Sequence, residues 1–383
     1  MTSHTATHTA RTAEFVLPGH PDKLADAIAD AIVHEARRRQ KRALVGVEVA
    51  LHRNAVFIDG RIGCRGAKAI DVESIVRDVY ASAGYGPRFA PRPMNLTVST
   101  DLHVGPLRRG EAAYREVSDD QSIVTGYACS LPGTEGVPPE HALARRLAIA
   151  LHHLRREQSA LKLGPDGKVI VFVNESLDGR ALHLTDVSVS IQHAKKWDAV
   201  SARRVIAARI RSEIEEFALA VPGFDATADF ALSINAAGDF VAAGPHGDNG
   251  LSGKKLVADF YGPRVPIGGG AMSGKDFWKA DRAGPLIARK LAVAAVERLG
   301  CRECLVTLGI RPGDREFTIV RVEAESHQPV DHARLSGLVD LRLASMHAWP
   351  DEAGDLVEVA RWGHFTLRTM LSARASQPEA VSG

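Results

Sequence analysis

"ALVGVEVALHRNAVFIDGRIGC", residues 43 to 64, is two β-rich runs joined by Arg53-Asn54, the pattern of a hairpin. It is preceded by "GHPDKLADAIADAIVHEARRRQKR", residues 19 to 42, where Leu24, Ile28, Ala31, Ile32 and Ala36 recur at helical spacing after a Gly-His-Pro-Asp turn. A second helix is expected over 71 to 83. The same order returns twice. Hairpins are expected at "KVIVFVNES" (168–176) with "LHLTDVSVSIQH" (182–193), and at "CLVTLGIR" (304–311) with "EFTIVRVEA" (316–324). Helical patterns fall at about 140–157, 198–219, 281–299 and 331–346. Hairpin and helix repeated in this way specify an α+β fold, with helices covering one face of antiparallel sheets, and argue against one doubly wound parallel sheet. The expected division is a disordered tail at 1–12 and three repeats at 13–120, 121–240 and 241–383. Residues 100 to 120 mix Gly, Pro and charge without periodicity and read as a mobile loop of the kind that forms lids.

The 383 residues are 45% hydrophobic and 25% charged, ordinary for a globular chain with a sizeable core. Forty-eight basic against 46 acidic residues leave a net charge of +2, so no global field points to nucleic acid or an anionic membrane. Any anion site must be local. Cys64, Cys129, Cys301 and Cys304 are too few for a disulfide framework, which fits a reducing cytoplasm, and "CREC" lacks the second pair of a zinc site. No apolar run reaches the roughly 18 residues of a membrane span.

Two glycine-rich turns end in lysine: "GPHGDNGLSGKK" at 244–255 and "GGAMSGKD" at 269–276. Lys254, Lys255, Lys275 and Lys279 fall on or beside them, where free backbone N–H groups and ammonium groups can converge on one polyanion. Asp22, Asp248 and Asp281 sit in similar turns, and carboxylates among lysines suit Mg²⁺ bridged to phosphates. Gly269 to Lys275 has the G-x-x-x-x-G-K spacing of a Walker loop, but Asp276 stands where that loop needs Ser or Thr for magnesium. His20, at a helix start, is either a structural hydrogen-bonding group or a donor to a phosphate oxygen. Glu48, inside an apolar strand, is either on a solvent face or a cation ligand.

These stretches together resemble the S-adenosylmethionine synthetase (methionine adenosyltransferase) family from about residue 14 to 366. The carriers are Gly-His-Pro-Asp-Lys at 19–23, the Gly-Pro-x-Gly-Asp-x-Gly-Leu-x-Gly-x-Lys motif at 244–255, and Gly-Gly-Gly-Ala-x-Ser-Gly-Lys-Asp-x-x-Lys-x-Asp-Arg at 268–282. "DDQSIVTGYA" and "WGHF" are weaker forms of two further family segments. The resemblance implies three pseudo-symmetric α+β repeats and a homodimer or homotetramer with active sites between subunits. It also implies that methionine sulfur attacks C5′ of ATP and expels tripolyphosphate, which is hydrolysed to pyrophosphate and phosphate, with two Mg²⁺ per site and K⁺.

By the same resemblance His20, Lys168, Lys255 and Lys275 are catalytic. Asp166, Phe240, Asp248, Lys254 and Ala271 join Lys168, Lys255 and Lys275 in binding ATP. Arg61, Asp120, Asp248 and Lys279 lie toward the amino acid, Asp22 and Asp281 hold Mg²⁺, and Glu48 matches a potassium ligand. Lys254 replaces a family arginine and loses its bidentate fork.

The departures cluster at the amino-acid end. The family's Gly-Gly-Glu, whose glutamate contacts the methionine ammonium, is here Asp59-Gly60-Arg61. Two cations about 4 Å apart cost roughly 4 kcal/mol at an effective dielectric near 20; Asp59 on the same strand face is a substitute carboxylate. A family glutamine has no equivalent near His103 and Val104. Ser-Glu becomes Leu17-Pro18, Arg-Phe becomes Asp239-Phe240, and Gly-Asp-Gln-Gly becomes Asp119 to Ser122. Adenosyl transfer to methionine is therefore expected, with transfer to another thioether, a non-catalytic regulatory paralogue, and hydrolysis without transfer as alternatives.

Overall fold

The computed structural model describes residues 8–226, 230–325, 328–347, 349 and 354–365. In chain order the strands are β1 (His8–Val16), β2 (Leu44–His52), β3 (Ala55–Gly63), β4 (Thr97–Gly105), β5 (Ser122–Cys129), β6 (Leu163–Ser176), β7 (Leu182–His193), β8 (Phe224–Asp225), β9 (Ala231–Ile234), β10 (Gly250–Leu251), β11 (Glu303–Ile310), β12 (Thr318–Ala324) and β13 (Gln328–Pro329). The helices are α1 (Pro21–Arg39), α2 (Val72–Ala83), α3 (Pro139–Glu157), α4 (Ala199–Ala220), α5 (Leu256–Asp259), α6 (Ala280–Leu299) and α7 (Leu356–Trp362).

The strands form three sheets, ordered β10-β2-β3-β4, β1-β6-β7-β8 with β9 also on β7, and β13-β12-β11-β5. Each is centred on one of the three hairpins. Alternation along β2 and β3 buries Val45, Val47, Val49, Leu51, Val56, Ile58 and Ile62 on one face. In each third of the chain a strand precedes a helix, which precedes the hairpin, and that leading strand is lent to another hairpin. Thus β1 pairs with β6, β5 with β11, and β10 with β2, all antiparallel. The sheets therefore interleave the consecutive thirds read from the sequence.

The sheets are also less uniform than the expected antiparallel set. After the first hairpin the chain crosses through α2 and adds β4 parallel to β3; after the second it crosses through α4 and adds β9 parallel to β7. A parallel neighbour requires such a crossover. After the third hairpin the expected helix at 331–346 is replaced by short 3₁₀ turns, His332–Leu335 and Leu343–His347. The expected tail is shortened too, since residues 8–12 belong to β1, where Arg11 pairs with Glu175 at 2.8 Å; residues 1–7 lie outside the described residues. Residues 100–105 belong to β4, and 111–115 form a 3₁₀ turn in which Arg115 is buried.

Two hydrophobic cores result. One joins α1, α2 and α6 to the first and third sheets, and the other joins α3 and α4 to the second. The two lysine-ending turns lie beside α1, whose N-terminal face is almost wholly buried.

Candidate active site

Asp22, Asp26 and Asp30 recur every fourth residue on α1 and so share one face of the helix. Asp22 accepts the N–H of Leu251 at 3.1 Å, Asp26 that of Gly253 at 2.8 Å, and Asp30 that of Gly274 at 3.0 Å. One helix face thus positions both glycine turns. The charges are balanced inside the protein. Buried Lys23 donates to Asp26 at 3.3 Å, to Asp259, and to the Ala360 carbonyl at 3.0 Å. Arg282 grips Asp30. Burial pushes the Asp26 carboxyl upward, and the Lys23 ammonium opposes that shift.

The two turns touch. Gly253 has φ +73°, and a Cβ there would lie 2.5 Å from that of Ala271. Gly274 has φ +84°, and its Cβ would lie 2.3 Å from the Val47 carbonyl oxygen. Only glycine allows both the left-handed backbone and these approaches. Asp276, at the Walker serine position, is committed to structure: it accepts from the N–H groups of Val45 and Trp278 at 2.8 and 2.9 Å and pairs with Arg115 at 2.9 Å.

Around the turns, lysines and carboxylates alternate. Glu14 of β1 lies 3.3 Å from Lys168 and 3.6 Å from Lys255. Asp22 lies 3.9 Å from Lys255 and 3.8 Å from Lys254. Asp281 accepts from Lys275 at 2.5 Å and from Ser122 at 2.7 Å. Lysine and carboxylate charges thus offset one another around the two turns.

His20 caps α1, its Nδ1 accepting the Asp22 N–H at 3.2 Å. Burial first, then Lys255 and Lys168, lower its pKa from 6.5 to about 3. It is therefore neutral, and because Nδ1 is an acceptor the proton sits on Nε2. Beside it opens a cavity of about 400 Å³ lined by His20, Asp166, Lys168, Phe240 and Asp248, among others. Burial raises Asp166 to about 6, partly offset by the Gly244 and Gly167 N–H groups; the bond from Gly244 is 2.7 Å. His193 fixes the Phe240 backbone, accepting its N–H at 2.9 Å through Nε2 while donating its own N–H to the Phe240 carbonyl at 3.1 Å. The His193 ring stacks on Trp197 at 3.8 Å between centroids.

The residues expected at the amino-acid end have partners within the chain. Arg61 presents no free cation. Its guanidinium donates to both oxygens of Glu111, at 3.1 and 3.0 Å, and to the carbonyls of Ile62, His103 and Pro106 at 2.8, 3.0 and 2.6 Å. Asp120 is exposed and holds only its local turn, accepting the Gln121 N–H at 2.8 Å. Its neighbour Asp119 pairs with Lys279. Glu48 accepts from Ser252 in the first glycine turn at 2.8 Å and stands opposite Asp59 across the hairpin.

Sequence reading missed Glu14, Asp26, Asp30 and Asp119. Fourfold spacing in "DKLADAIAD" was a visible signal for the two aspartates on α1, whereas Glu14 reaches the site only because β1 is lent to β6.

The chain matches, in order, three family descriptions: "S-adenosylmethionine synthetase, N-terminal domain" over residues 8–103, the central domain over 115–240 and the C-terminal domain over 242–365. It is 34% identical to S-adenosylmethionine synthase 1 of Rhodospirillum rubrum, covering 86% of this chain and 84% of that one. It is 30% identical to S-adenosylmethionine synthase of Prochlorococcus marinus, covering 94% and 93%. The fold superposes on a solved S-adenosylmethionine synthetase from Campylobacter jejuni with a TM-score of 0.80 at 27% identity, over 92% of this chain and 94% of that one. Three matched domains in one order, spanning the strands that the repeats exchange, show that the chain belongs to the S-adenosylmethionine synthetase family.

Proposed function

We infer that the chain is a methionine adenosyltransferase. Methionine sulfur attacks C5′ of ATP, the C5′–O bond breaks, tripolyphosphate leaves, and its hydrolysis gives pyrophosphate and phosphate. The observation that carries this reading is that Lys168, Lys254 and Lys255 surround His20 at a cavity lined by Phe240, with Lys275 on the second of two touching glycine turns.

No protein nucleophile is required, so rate acceleration comes from holding the sulfur in line with C5′ and from stabilising charge on the departing oxygen. His20 donates through Nε2 to that oxygen, and Phe240 offers a ring for adenine to stack on. Lys168, Lys255 and Lys275 exchange Glu14 and Asp281 for phosphate oxygens. Asp166 fixes the Gly244 turn that walls the cavity.

Mg²⁺ fits at Asp22 and Asp281. Each carboxylate stands beside lysine rather than in an all-protein cage, and among the described residues no group of three or more His, Cys, Asp or Glu could hold a metal alone. Such a site suits an ion that takes its remaining ligands from phosphate and water. Mg²⁺ held by Asp22 and Asp281 would neutralise phosphate charge, and Glu48 would hold K⁺. We assign a homodimer or homotetramer, supported by apolar side chains on the sheets: Phe57, Ile123, Phe172 and Val320 are exposed in the single chain. No helix among the described residues is long and apolar enough to cross a membrane, and the free cysteines fit a cytoplasmic setting.

Nothing favours a different thioether, because the Arg61 charge that suggested one is taken up by Glu111. The test is product analysis with the full chain, ATP, L-methionine, Mg²⁺ and K⁺. Equal amounts of S-adenosylmethionine, pyrophosphate and phosphate are expected; phosphate release that ignores methionine overturns the reading.

A further inference from the structure

A second cavity, of about 480 Å³, opens between α4 and β9. Arg203, Arg204 and Arg211 line it over a floor that includes Leu232 and Ile234, and among the described residues no carboxylate lines it. Positions 203, 204 and 211 lie close to one face of α4, where like charges repel; Asp198 at the helix start offsets this in part at Arg204, and an anion bound among the three would offset it further. Arg211 is held in place by stacking over the Phe230 ring, 4.9 Å from its centroid. The volume lies in the range of small-molecule sites, and a concave arginine wall over an apolar floor suits a compact phosphorylated molecule.

The cavity adjoins the one beside His20, since Asn235 and Gly238 line both. Asn235 is buried with φ +47°, and its side chain is tied to both backbone groups of Ile191 at 2.8 and 3.0 Å. Its carbonyl oxygen accepts from Gly238 N at 3.1 Å and from Arg203 Nη2 at 3.3 Å. An anion that draws Arg203 away removes one of those two donors from the turn leading to Phe240.

We propose that the arginine cavity between α4 and β9 binds a small phosphate-bearing anion and that occupancy is transmitted through the Asn235–Gly238 turn to the nucleotide cavity. Binding is independent of the adenosyltransferase reading; only the transmission rests on it.

The test is calorimetric titration of the full chain with inorganic pyrophosphate and, separately, ribose 5-phosphate. Pyrophosphate is expected to bind two classes of site. Arg204→Ala/Arg211→Ala should weaken one by at least about tenfold, and Lys255→Ala/Lys275→Ala should weaken the other. Ribose 5-phosphate binding at the arginine site identifies a phosphate ester as its ligand; binding of pyrophosphate alone identifies a free polyphosphate. Isotherms of the arginine variant that coincide with wild type for both probes overturn the site. Arg204 and Arg211 are exposed, so the variant should melt like wild type and keep its basal activity. Pyrophosphate also competes with ATP at the lysine turns in both proteins, so transmission is read as the difference between them: a probe that binds the arginine cavity should change the KM for ATP more in wild type than in the arginine variant. Equal changes in the two proteins at saturation overturn the transmission and leave the site standing.

Discussion

Asp30 on α1 accepts two guanidinium N–H bonds from Arg282 on α6, at 2.7 and 3.1 Å, and both side chains are buried. Arg282 also donates to the Lys275 carbonyl at 2.8 Å, and Asp30 accepts the Gly274 N–H. The second glycine turn is therefore hung between two helices by one ion pair.

Removing one member of a buried pair strands the other, at a cost of about 3–5 kcal/mol. Asp30→Ala should lower stability to urea by that amount. Asp30→Ala/Arg282→Met should recover part of it, because no lone charge remains; a double variant no more stable than Asp30→Ala would contradict the pairing.

Lys275→Ala should slow turnover by roughly 10²- to 10³-fold, the usual effect of deleting a donor aimed at developing negative charge. Asp281 would lose its ammonium partner, so Lys275→Arg serves as the charge-conserving control. Steady-state rates near wild type for Lys275→Ala would remove this residue from the leaving-group site.

Arg61 is a latch on the segment that carries Glu111, so Arg61→Glu should loosen residues 106–115 by setting carboxylate against carboxylate. Hydrogen exchange there should rise and the KM for methionine should increase. The swap Arg61→Glu/Glu111→Arg should restore both. Improved methionine use by Arg61→Glu alone would mean that the guanidinium repels substrate despite its partner.

Asp166 gives a pH dependence with a definite sign. Burial raises its folded pKa from 3.8 to about 6, so the carboxylate is ionised at pH 8 and becomes protonated as the pH falls through 6. Charge in its bond from Gly244 is then lost, and the KM for ATP should rise by about threefold to tenfold. Its contribution to stability runs the other way: with the folded pKa above the unfolded one, it is fully present below about pH 4 and lost as pH rises through 6. A wild-type KM that is flat between pH 8 and 5 would exclude this role, and Asp166→Asn should abolish the dependence.

Local pattern carried the sequence reading as far as its interactions were local. The three hairpins, α1 and the glycine turns are short-range features with their own turn chemistry, and they stand where the residues placed them. What escaped was non-local. Pairing of β1 with β6 brings Glu14 to Lys168, and nothing near residue 14 announces that partner. Arg61 looked like a cation facing substrate because Glu111 lies 50 residues further along. The α1 aspartates were readable as one stripe, yet their partners are backbone N–H groups, which a sequence does not display. The 331–346 stretch has helical spacing, yet it folds as two short 3₁₀ turns, His332–Leu335 and Leu343–His347.

On the proposed function the two lysine-ending turns hold the triphosphate of ATP as it leaves C5′ for methionine sulfur. Its most direct test is a single-turnover reaction of the full chain with ATP, L-methionine, Mg²⁺ and K⁺, followed by mass spectrometry, run beside Lys255→Ala/Lys275→Ala. S-adenosylmethionine is expected from the wild type, with a product rate at least about a hundredfold lower from the variant. ATP consumed by the wild type without the sulfonium product, or equal product rates in the two proteins, would contradict it.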